Sequence, residues 1–572
     1  MSGLAPEIAR RHAIALPHFK FQPLSAGRPQ SSTQPAAALW WTAFLVTALA
    51  IISPLFVTDI PPLLDYPNHL ARIEMLAQAA GDPVLSHMYT TKWQILPNIG
   101  IDAAMPPLLG FVSLNVAGRC FIGLALLLPF IGTNLLHAAL FRQRSYWPLA
   151  AALVVYNELL FAGFLNYLIG LGLALIGAAL WVWTIDRPAV RIVTGAGLAI
   201  IIFFCHLIAL VCYGFLVLAI EVAYAIERRP SQGFVGRLDA ARIAALIFPF
   251  VLPALLYLHA PLADASVAAH WGVLPKIEGV FGGFMTYSYV LDGCAFLLAI
   301  GVILACWWTK RLSVARAALF AFVGLCILYA FAPFAAKGTG FIDQRLPPLA
   351  SFVLFAGTQP IGLPRWPRAL ISAALISIVA LRLADVSLVW RHHNEDLAAF
   401  HSVISTIEPG SRVLPVMVTP DDVPDFYRGQ PASRIFMFGI PAIMHLPSLA
   451  LIDRHAFSPL LFTAPTKQPL RVLPPYSKIA VGEGIVPSYK WLNADAPKSL
   501  PRDAPYLENW RDTFDYVLVL FAGKLPDAAH FRADVLTPVA ITDVAALYRI
   551  KKVTSAPSGP GAAAPASSPA SP

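Results

Sequence analysis

The sequence is poor in charged residues. Only 13% of its 572 residues are charged, 57% are hydrophobic, and the mean hydropathy is +0.66. An ordinary soluble domain carries about 25% charged residues, so this composition excludes a soluble globular protein and predicts a polytopic membrane protein. A net charge of +9 would suggest nucleic-acid binding in a soluble chain. Here most Lys and Arg lie in short gaps between apolar runs, where they act as topology signals, so no nucleic-acid partner is expected.

The sequence also lacks the patterns typical of metal sites, of disulfide bonds and of cleaved signal peptides. Its six cysteines lie in or beside apolar runs, with no CxxC pair and no histidine at ligand spacing, which excludes a zinc or disulfide framework. No DxD or three-carboxylate cluster is present, so the sequence indicates no cofactor and leaves a divalent metal open. The first 37 residues contain no short apolar stretch followed by a cleavage site, so we expect the first apolar run to act as an uncleaved signal anchor.

Long apolar runs dominate what is present. A transmembrane helix needs about 20 apolar residues, and on that criterion we predict about eleven membrane spans. They cover approximately 38–58, 116–141, 146–161, 163–185, 190–205, 207–227, 239–259, 285–308, 314–334, 346–361 and 367–389.

The loops between these runs differ strongly in basic residues. One alternate set of loops holds seventeen Lys and Arg, and the other set holds six up to residue 390. Basic loops stay in the cytoplasm. We therefore expect a cytoplasmic N-terminus and, with an odd number of spans, an extracytoplasmic C-terminal region.

These patterns divide the chain into four parts. We predict a cytoplasmic N-terminal segment over 1–37, a transmembrane domain over 38–390 with its first outer loop at 58–115, and an extracytoplasmic α/β domain over 391–550. Strand-like runs such as 412–418 and 514–521, bounded by turn residues, support the α/β assignment. The Ala/Pro/Ser tail over 551–572 has too little apolar surface to fold. No clear internal repeat is present, which disfavours an inverted-repeat transporter.

The first outer loop opens with the most unusual polar residues of the chain. Residues 58–75 read TDIPPLLDYPNHLARIEM, and the spacing of Asp65, His69 and Arg72 puts them on one stripe of a helix, opposite an apolar stripe of Leu70, Ile73 and Ala77. This predicts an interfacial amphipathic helix whose polar stripe faces a cavity and whose apolar stripe faces lipid or the bundle.

Two of these residues have simpler alternative roles. Asp65 alternatively serves as the N-cap of its helix, with Pro67 in the first turn. Asp59, which is followed by Ile-Pro-Pro, either belongs to the same site or merely ends the first span.

Further polar residues gather at the same predicted outer boundary. They are His206 between two spans, and Lys337, Asp343 and Arg345 just before another. Ionisable groups at a membrane edge are functional candidates, and a guanidinium suits bidentate capture of a phosphate. The alternatives are a packed interfacial histidine and an Asp-Arg pair that ends a helix or reaches the interface.

The layout resembles that of the C-type membrane glycosyltransferases (GT-C): a first span, an outer loop with an acidic residue on a short amphipathic helix, about ten more spans, and an extracytoplasmic C-terminal domain. The segment LLDYPNHLARIEML is similar to the acidic first-loop motif of that family. The adjacent Asp-Glu pair common in the family is absent, since Tyr66 follows Asp65, so the resemblance leaves Asp65 or Asp59 as the catalytic carboxylate.

The resemblance implies an inverting transfer of a sugar from a polyprenyl-phosphate carrier to an extracytoplasmic glycan, lipid or protein acceptor, in a multi-pass protein of the bacterial inner membrane. Asp65 or Asp59 would be the general base. Arg345, with Lys337 or His206, would hold the phosphate beside Asp343, and His69 and Arg72 would line the site. The sequence leaves two alternatives: another lipid-carrier enzyme such as a glycan ligase or polymerase, and a polytopic transporter.

Overall fold

The computed structural model describes residues 20–22, 34–227, 240–261, 269–336, 339–436, 439–493 and 504–552. The chain is mostly helical. The helices are α1 (Ala37–Ile52), α2 (Tyr66–Gln78), α3 (Gly100–Leu108), α4 (Leu114–Phe141), α5 (Glu158–Phe161), α6 (Leu165–Trp183), α7 (Pro188–Cys205), α8 (Leu207–Glu227), α9 (Ala240–Leu258), α10 (Val273–Gly279), α11 (Tyr289–Trp308), α12 (Arg316–Phe331), α13 (Leu346–Gly357), α14 (Arg365–Ile404), α15 (Leu449–Arg454) and α16 (Trp510–Thr513).

Short strands accompany the helices and concentrate near the C-terminus. They are β1 (Lys20–Gln22), β2 (Tyr89–Thr91), β3 (Leu312–Ala315), β4 (Thr358–Pro360), β5 (Val413–Met417), β6 (Ile435–Phe436), β7 (Ile440–Pro441), β8 (Leu470–Val472), β9 (Tyr516–Leu520), β10 (Leu536–Ile541) and β11 (Ala545–Ile550).

Seven helices in the described part of the chain are long and apolar enough to cross a bilayer, and two shorter apolar helices lie over Arg242–Leu258 and Arg316–Phe331. The predicted class, a polytopic α-helical membrane protein with a small α/β domain, is confirmed. The span predicted over 146–161 is wrong, because this segment forms a seven-residue 3-10 helix, Trp147–Leu153, and then α5. Its apolar residues are buried inside the protein, and a short apolar run cannot distinguish a protein core from lipid.

The run predicted as a span over 346–361 is also shorter than expected. Helix α13 has 12 residues, which at 1.5 Å per residue cover about 18 Å of a roughly 30 Å hydrocarbon core. The chain then enters β4, whose residues pair with β3. Both β4 and α13 are largely buried, so this run contributes to the interior of the bundle.

The centre of the bundle is built on close contact between α4 and α6. A Cβ on Gly172 would lie 2.4 Å from the Cβ of Leu128, and one on Gly132 would lie 2.7 Å from the Cβ of Leu175. Only glycine permits these distances, as expected where small residues let membrane helices approach. The glycine-rich sequence of α6 therefore serves helix packing.

One end of the bundle carries a three-stranded sheet. Strand β1 pairs in parallel with β3, and β3 pairs antiparallel with β4. The side chain of Gln143, which follows α4, donates to Gln359 in β4 at 2.8 Å. This end therefore joins residues 20–22 to the loops around Arg142, Lys310 and Arg365. These loops belong to the alternate set that is rich in Lys and Arg.

A small domain caps the opposite end. Its four-stranded sheet has the order β10-β11-β9-β5, with β5 and β9 parallel and the other pairs antiparallel. Every residue of β5 and β9 is buried, which accounts for their continuous apolar sequence. Helix α14 has 40 residues and runs from the bundle into this domain, so the expected boundary at 390/391 lies within a continuous helix. The tail from residue 553 lies outside the described residues.

Helix α2 lies between the bundle and the C-terminal domain. Leu70 and Ile73 are buried in the bundle core, whereas Ala77 is exposed. The other side of α2 packs through Ala71 and Met75 against apolar residues of the C-terminal domain. Beyond α2, strand β2 pairs antiparallel with β8. The helix is therefore largely enclosed by protein, which differs from the lipid-facing position that the amphipathic pattern also allowed.

Candidate functional site

A cavity of about 700 Å³ separates the end of the bundle from the C-terminal domain. Five of the residues singled out in the sequence line it: Asp65, His69, Arg72, His206 and Arg345. The C-terminal domain forms the facing wall with Met444, His445, Phe462, Lys467, Gln468 and Glu483–Ile485. The site is thus built from segments far apart in the chain.

The backbone of Asp65 is held by the turn that follows α5. The amide of Leu64 donates to the carbonyl of Phe161 at 2.8 Å, and the amide of Asp65 donates to Ala162 at 3.3 Å. Gly163 has φ +86°, and a Cβ there would lie 2.9 Å from both the Cβ and the N of Asp65. Glycine is required here for the positive φ and for the close approach.

The carboxylate of Asp65 is not used to cap its helix. Asp65 occupies the N-cap position of α2 in a helical backbone conformation, and its side chain accepts no capping hydrogen bond from the helix. The capping alternative therefore does not describe this side chain. Instead, the carboxylate is 19% exposed and lines the cavity.

The surroundings of Asp65 favour its neutral form. The pKa of Asp65 is raised to about 7, chiefly by burial; Arg72 and Arg345 lower it and the charge of Glu483 raises it, and the value is the net result of these effects. The side chain lines the cavity, and burial is the largest influence on its pKa. A carboxyl group with a pKa near neutrality is suited to take up and release a proton.

Arg72 and His69 form a fixed wall beside Asp65. Arg72 makes two hydrogen bonds to Asp102, Nε to Oδ1 at 2.5 Å and Nη2 to Oδ2 at 3.1 Å, and both side chains are buried. Nη2 of Arg72 also lies 3.1 Å from Nδ1 of His69. Arg is only a donor, so Nδ1 of His69 accepts. Burial keeps the pKa of His69 well below its usual value, so this ring is neutral.

Arg345 presents one edge of its guanidinium to the cavity. Its Nη1 donates to the carbonyls of Gly340 at 2.6 Å and Phe341 at 2.9 Å. The guanidinium carbon lies 4.7 Å from the ring centre of Phe164 and 5.7 Å from that of Tyr167. Its Nε has no hydrogen-bond partner among the described residues. Packing against two rings thus fixes the plane of a guanidinium that lines the cavity.

His206 adds a second donor to the same region. The amide of Ile208 donates to Nδ1 of His206 at 3.1 Å, so the ring proton is on Nε2. Leu207 and Ile208, the first residues of α8, also line the cavity. The N-terminal end of this 21-residue helix carries a partial positive charge. Arg345, His206 and the start of α8 together form a surface that suits an anion.

His445 of the C-terminal domain lies close to Asp65 and was not indicated by the sequence. Its Nε2 lies 3.5 Å from Oδ1 of Asp65, and its Nδ1 lies 3.3 Å from Nδ2 of Asn68. Residues 68 and 445 are 377 positions apart. No local pattern connects them, so only the fold could reveal this contact.

The remaining predicted residues lie elsewhere. Asp343 is fully buried, pairs with Nζ of Lys276 at 2.9 Å and does not line the cavity. Lys337 lies outside the described residues. Asp59 is exposed, pairs with Arg119 and lines a separate groove of about 590 Å³. Among the described residues, no group of three or more His, Cys, Asp or Glu side chains could hold a metal ion.

Comparison with known proteins gives structural similarity only. No family model matches the chain, and no curated protein sequence matches it significantly. The crystal structure of ArnT from Cupriavidus metallidurans bound to undecaprenyl phosphate is similar over 91% of this chain and 100% of its own, with 12% identity and a TM-score of 0.47. The apo structure of the same protein is similar over 90% of this chain and 98% of its own, with 12% identity and a TM-score of 0.45.

Proposed function

We propose that the protein is an inverting glycosyltransferase that uses a polyprenyl-phosphate sugar as donor. The observation that carries the proposal is that Asp65 and Arg345 line one cavity. A carboxyl group with a pKa near 7 and an anion-binding guanidinium are the two groups that this transfer requires.

In this reaction the acceptor hydroxyl attacks the anomeric carbon of the sugar and gives its proton to Asp65. The bond from that carbon to the phosphate oxygen breaks, and the phosphate leaves with the bonding electron pair. Arg345, the Nε2–H of His206 and the start of α8 stabilise the charge that develops on the phosphate. His69 and Arg72 shape the wall beside Asp65.

An apolar entrance supports a lipid-linked donor. Tyr257 at the end of α9 lines the cavity, and the same helix exposes Leu252, Leu255 and Leu258. Exposed leucines on a membrane helix face lipid. A polyprenyl chain could lie along α9 in the bilayer while its phosphate reaches Arg345.

The proposed location is the bacterial inner membrane, with the cavity and the C-terminal domain on the extracytoplasmic side. The basic loops around Arg142, Lys310 and Arg365 lie together at the end of the bundle that carries the sheet of β1, β3 and β4. Basic loops favour the cytoplasm, so the opposite end would face outward. The acceptor would be an envelope glycan, lipid or protein.

The test uses purified protein in lipid nanodiscs with a panel of polyprenyl-monophosphate sugars and polyprenyl-diphosphate glycans. Release of polyprenyl phosphate is measured for wild type, Asp65→Asn, Arg345→Lys and Asp59→Asn. We expect Asp65→Asn to lower turnover by about 10²- to 10⁴-fold, the usual range for loss of a general base. We expect Arg345→Lys to weaken phosphate binding, because lysine lacks the planar guanidinium, and Asp59→Asn to retain activity because it lies in the other groove.

Three outcomes would contradict the proposal. Unchanged turnover in Asp65→Asn would show that Asp65 is not the general base. Loss of activity in Asp59→Asn alone would move the chemistry to the other groove. Consumption of diphosphate-linked glycans with no use of monophosphate sugars would favour a glycan ligase or polymerase.

A further inference from the structure

We infer that His445 is a positioning residue for Asp65, so that the C-terminal domain completes the reacting site as well as covering it. The inference rests on the proposed function only for the identity of the reaction. Its geometric basis is the chain of contacts from Asn68 through His445 to Asp65.

The orientation of the Asn68 side chain is fixed by two backbone groups. Its Oδ1 accepts from the amide of Phe462 at 2.8 Å, and its Nδ2 donates to the carbonyl of Leu460 at 3.0 Å. Asn68 is fully buried. With the amide reversed, Oδ1 would face the carbonyl of Leu460 and Nδ2 would face the amide N–H of Phe462, and both groups would lose their hydrogen bonds. The NH₂ group of Asn68 therefore faces His445.

This orientation determines the proton on His445. Because Nδ2 of Asn68 can only donate, Nδ1 of His445 must accept. The ring proton then lies on Nε2, which is the nitrogen 3.5 Å from Asp65. Burial lowers the pKa of His445 to about 4, so the ring is neutral and its single N–H lies on the side of Asp65. Contacts of this kind are often long without substrate and shorten in the reacting complex.

The position of the ring depends on the C-terminal domain. His445 lies immediately before the 3-10 helix Leu446–Ser448, which packs on α2. Its ring centre is 5.2 Å from that of Phe462, which also contacts His69 at 5.7 Å. His445 can thus orient one oxygen of Asp65 and leave the other oxygen to the acceptor hydroxyl.

Several other charged or titratable groups face Asp65 and must be held constant in a test. Helix α2 contributes Arg72 and His69, the segment before α13 contributes Arg345, and the C-terminal domain contributes Glu483 with its partner Lys467. None of these is altered by a change at His445 or Asn68. A shift in the titration of Asp65 in such variants would therefore report the contact between His445 and Asp65.

The experiment labels the full-length protein in nanodiscs with dicyclohexylcarbodiimide, which reacts with protonated carboxyl groups in apolar surroundings. Labelling of Asp65 is followed by mass spectrometry against pH, with Asp65→Asn as the blank. Wild type should lose labelling with a midpoint near pH 7. In His445→Phe the carboxylate loses a donor, so the midpoint should rise by about one pH unit, and turnover of the donor should fall about 10²-fold with little change in KM.

Two further variants separate positioning from a purely structural role. Asn68→Leu removes the donor to Nδ1 without adding a charge, so the ring proton is no longer held on Nε2 and the midpoint should move in the same direction as in His445→Phe. His445→Gln keeps an N–H directed at Asp65 and should restore part of both the midpoint and the turnover. His393→Phe is the matched control, because His393 is also buried but does not line the cavity.

A midpoint that stays at the wild-type value in folded His445→Phe overturns the inference. Equal losses in His445→Phe and His445→Gln, without a pH shift, would also overturn it and assign His445 a packing role. The labelling needs no substrate. A shifted midpoint in a protein that transfers no sugar would therefore refute the proposed function and leave the inference standing.

Discussion

Replacing Gly163 with alanine should displace Asp65 and abolish most of the activity. The new methyl group would lie 2.9 Å from the Cβ and N of Asp65, whereas carbon atoms pack best at about 3.5 to 4.0 Å. Relieving this overlap requires a movement of about 0.6 to 1 Å. A displacement of that size in a reacting group can lower kcat by about 10²-fold.

The same substitution should also destabilise the fold. An L-residue at the φ of +86° costs about 1 to 2 kcal/mol, and overpacking a tight contact costs about 1 to 3 kcal/mol. We therefore expect a free-energy loss of about 2 to 5 kcal/mol, measured by thermal unfolding in detergent. Gly197→Ala in α7 is the matched control, since nothing lies within 4 Å of a Cβ there, and helical Gly→Ala is neutral or stabilising by up to about 1 kcal/mol.

Activity is measured as release of polyprenyl phosphate at saturating donor, and the position of Asp65 is checked by its carbodiimide labelling. Gly163→Ala with turnover within about twofold of Gly197→Ala would refute the reasoning, because a displaced base cannot keep its rate. Loss of activity with unchanged labelling would show that the turn acts on something other than Asp65.

Three further predictions follow from the charges around the site. Activity should rise with pH through about 7 as Asp65 ionises, and a pH-rate profile that is flat between pH 6 and 8 would contradict its role as base. The raised pKa of Asp65 also predicts that the folded state binds its proton more tightly than the unfolded state, so stability falls as pH rises from about 4 to 7. This fall in the free energy of unfolding amounts to at most about 4 kcal/mol, and Asp65→Asn should abolish it. Equal thermal stability of wild type and Asp65→Asn at pH 8 would contradict this prediction. Asp102→Asn leaves Arg72 buried without its counter-charge and should destabilise the protein by about 3 to 5 kcal/mol, which unfolding in denaturant would measure against the exposed control Asp59→Asn.

Local patterns in the sequence indicated most of the membrane helices and the shared helix of Asp65, His69 and Arg72, which line one cavity. These features depend on residue spacing within one helix, which the sequence displays directly. The segment over 146–161 was mispredicted because its apolar residues are buried by neighbouring helices. Hydrophobicity alone does not show whether an apolar residue is surrounded by other helices or by lipid.

The contacts that complete the site could not be predicted. Asp102 neutralises Arg72 across 30 positions, and His445 reaches Asn68 across 377. Neither pair forms a motif, because each depends on how separate elements dock. The sequence therefore indicated the side of the site that lies on α2 and missed the side that the C-terminal domain supplies.

The position of α2 between the bundle and the C-terminal domain has a consequence for how the protein is made. Asn68 donates to Leu460, which is synthesised 392 residues later, and β2 (Tyr89–Thr91) pairs with β8 (Leu470–Val472), which is also synthesised much later. During translation the helix with Asp65 is complete while its partners do not yet exist. The nascent protein therefore passes through a stage with an inserted bundle and an unassembled site, and a premature stop before residue 440 would leave an inert membrane protein.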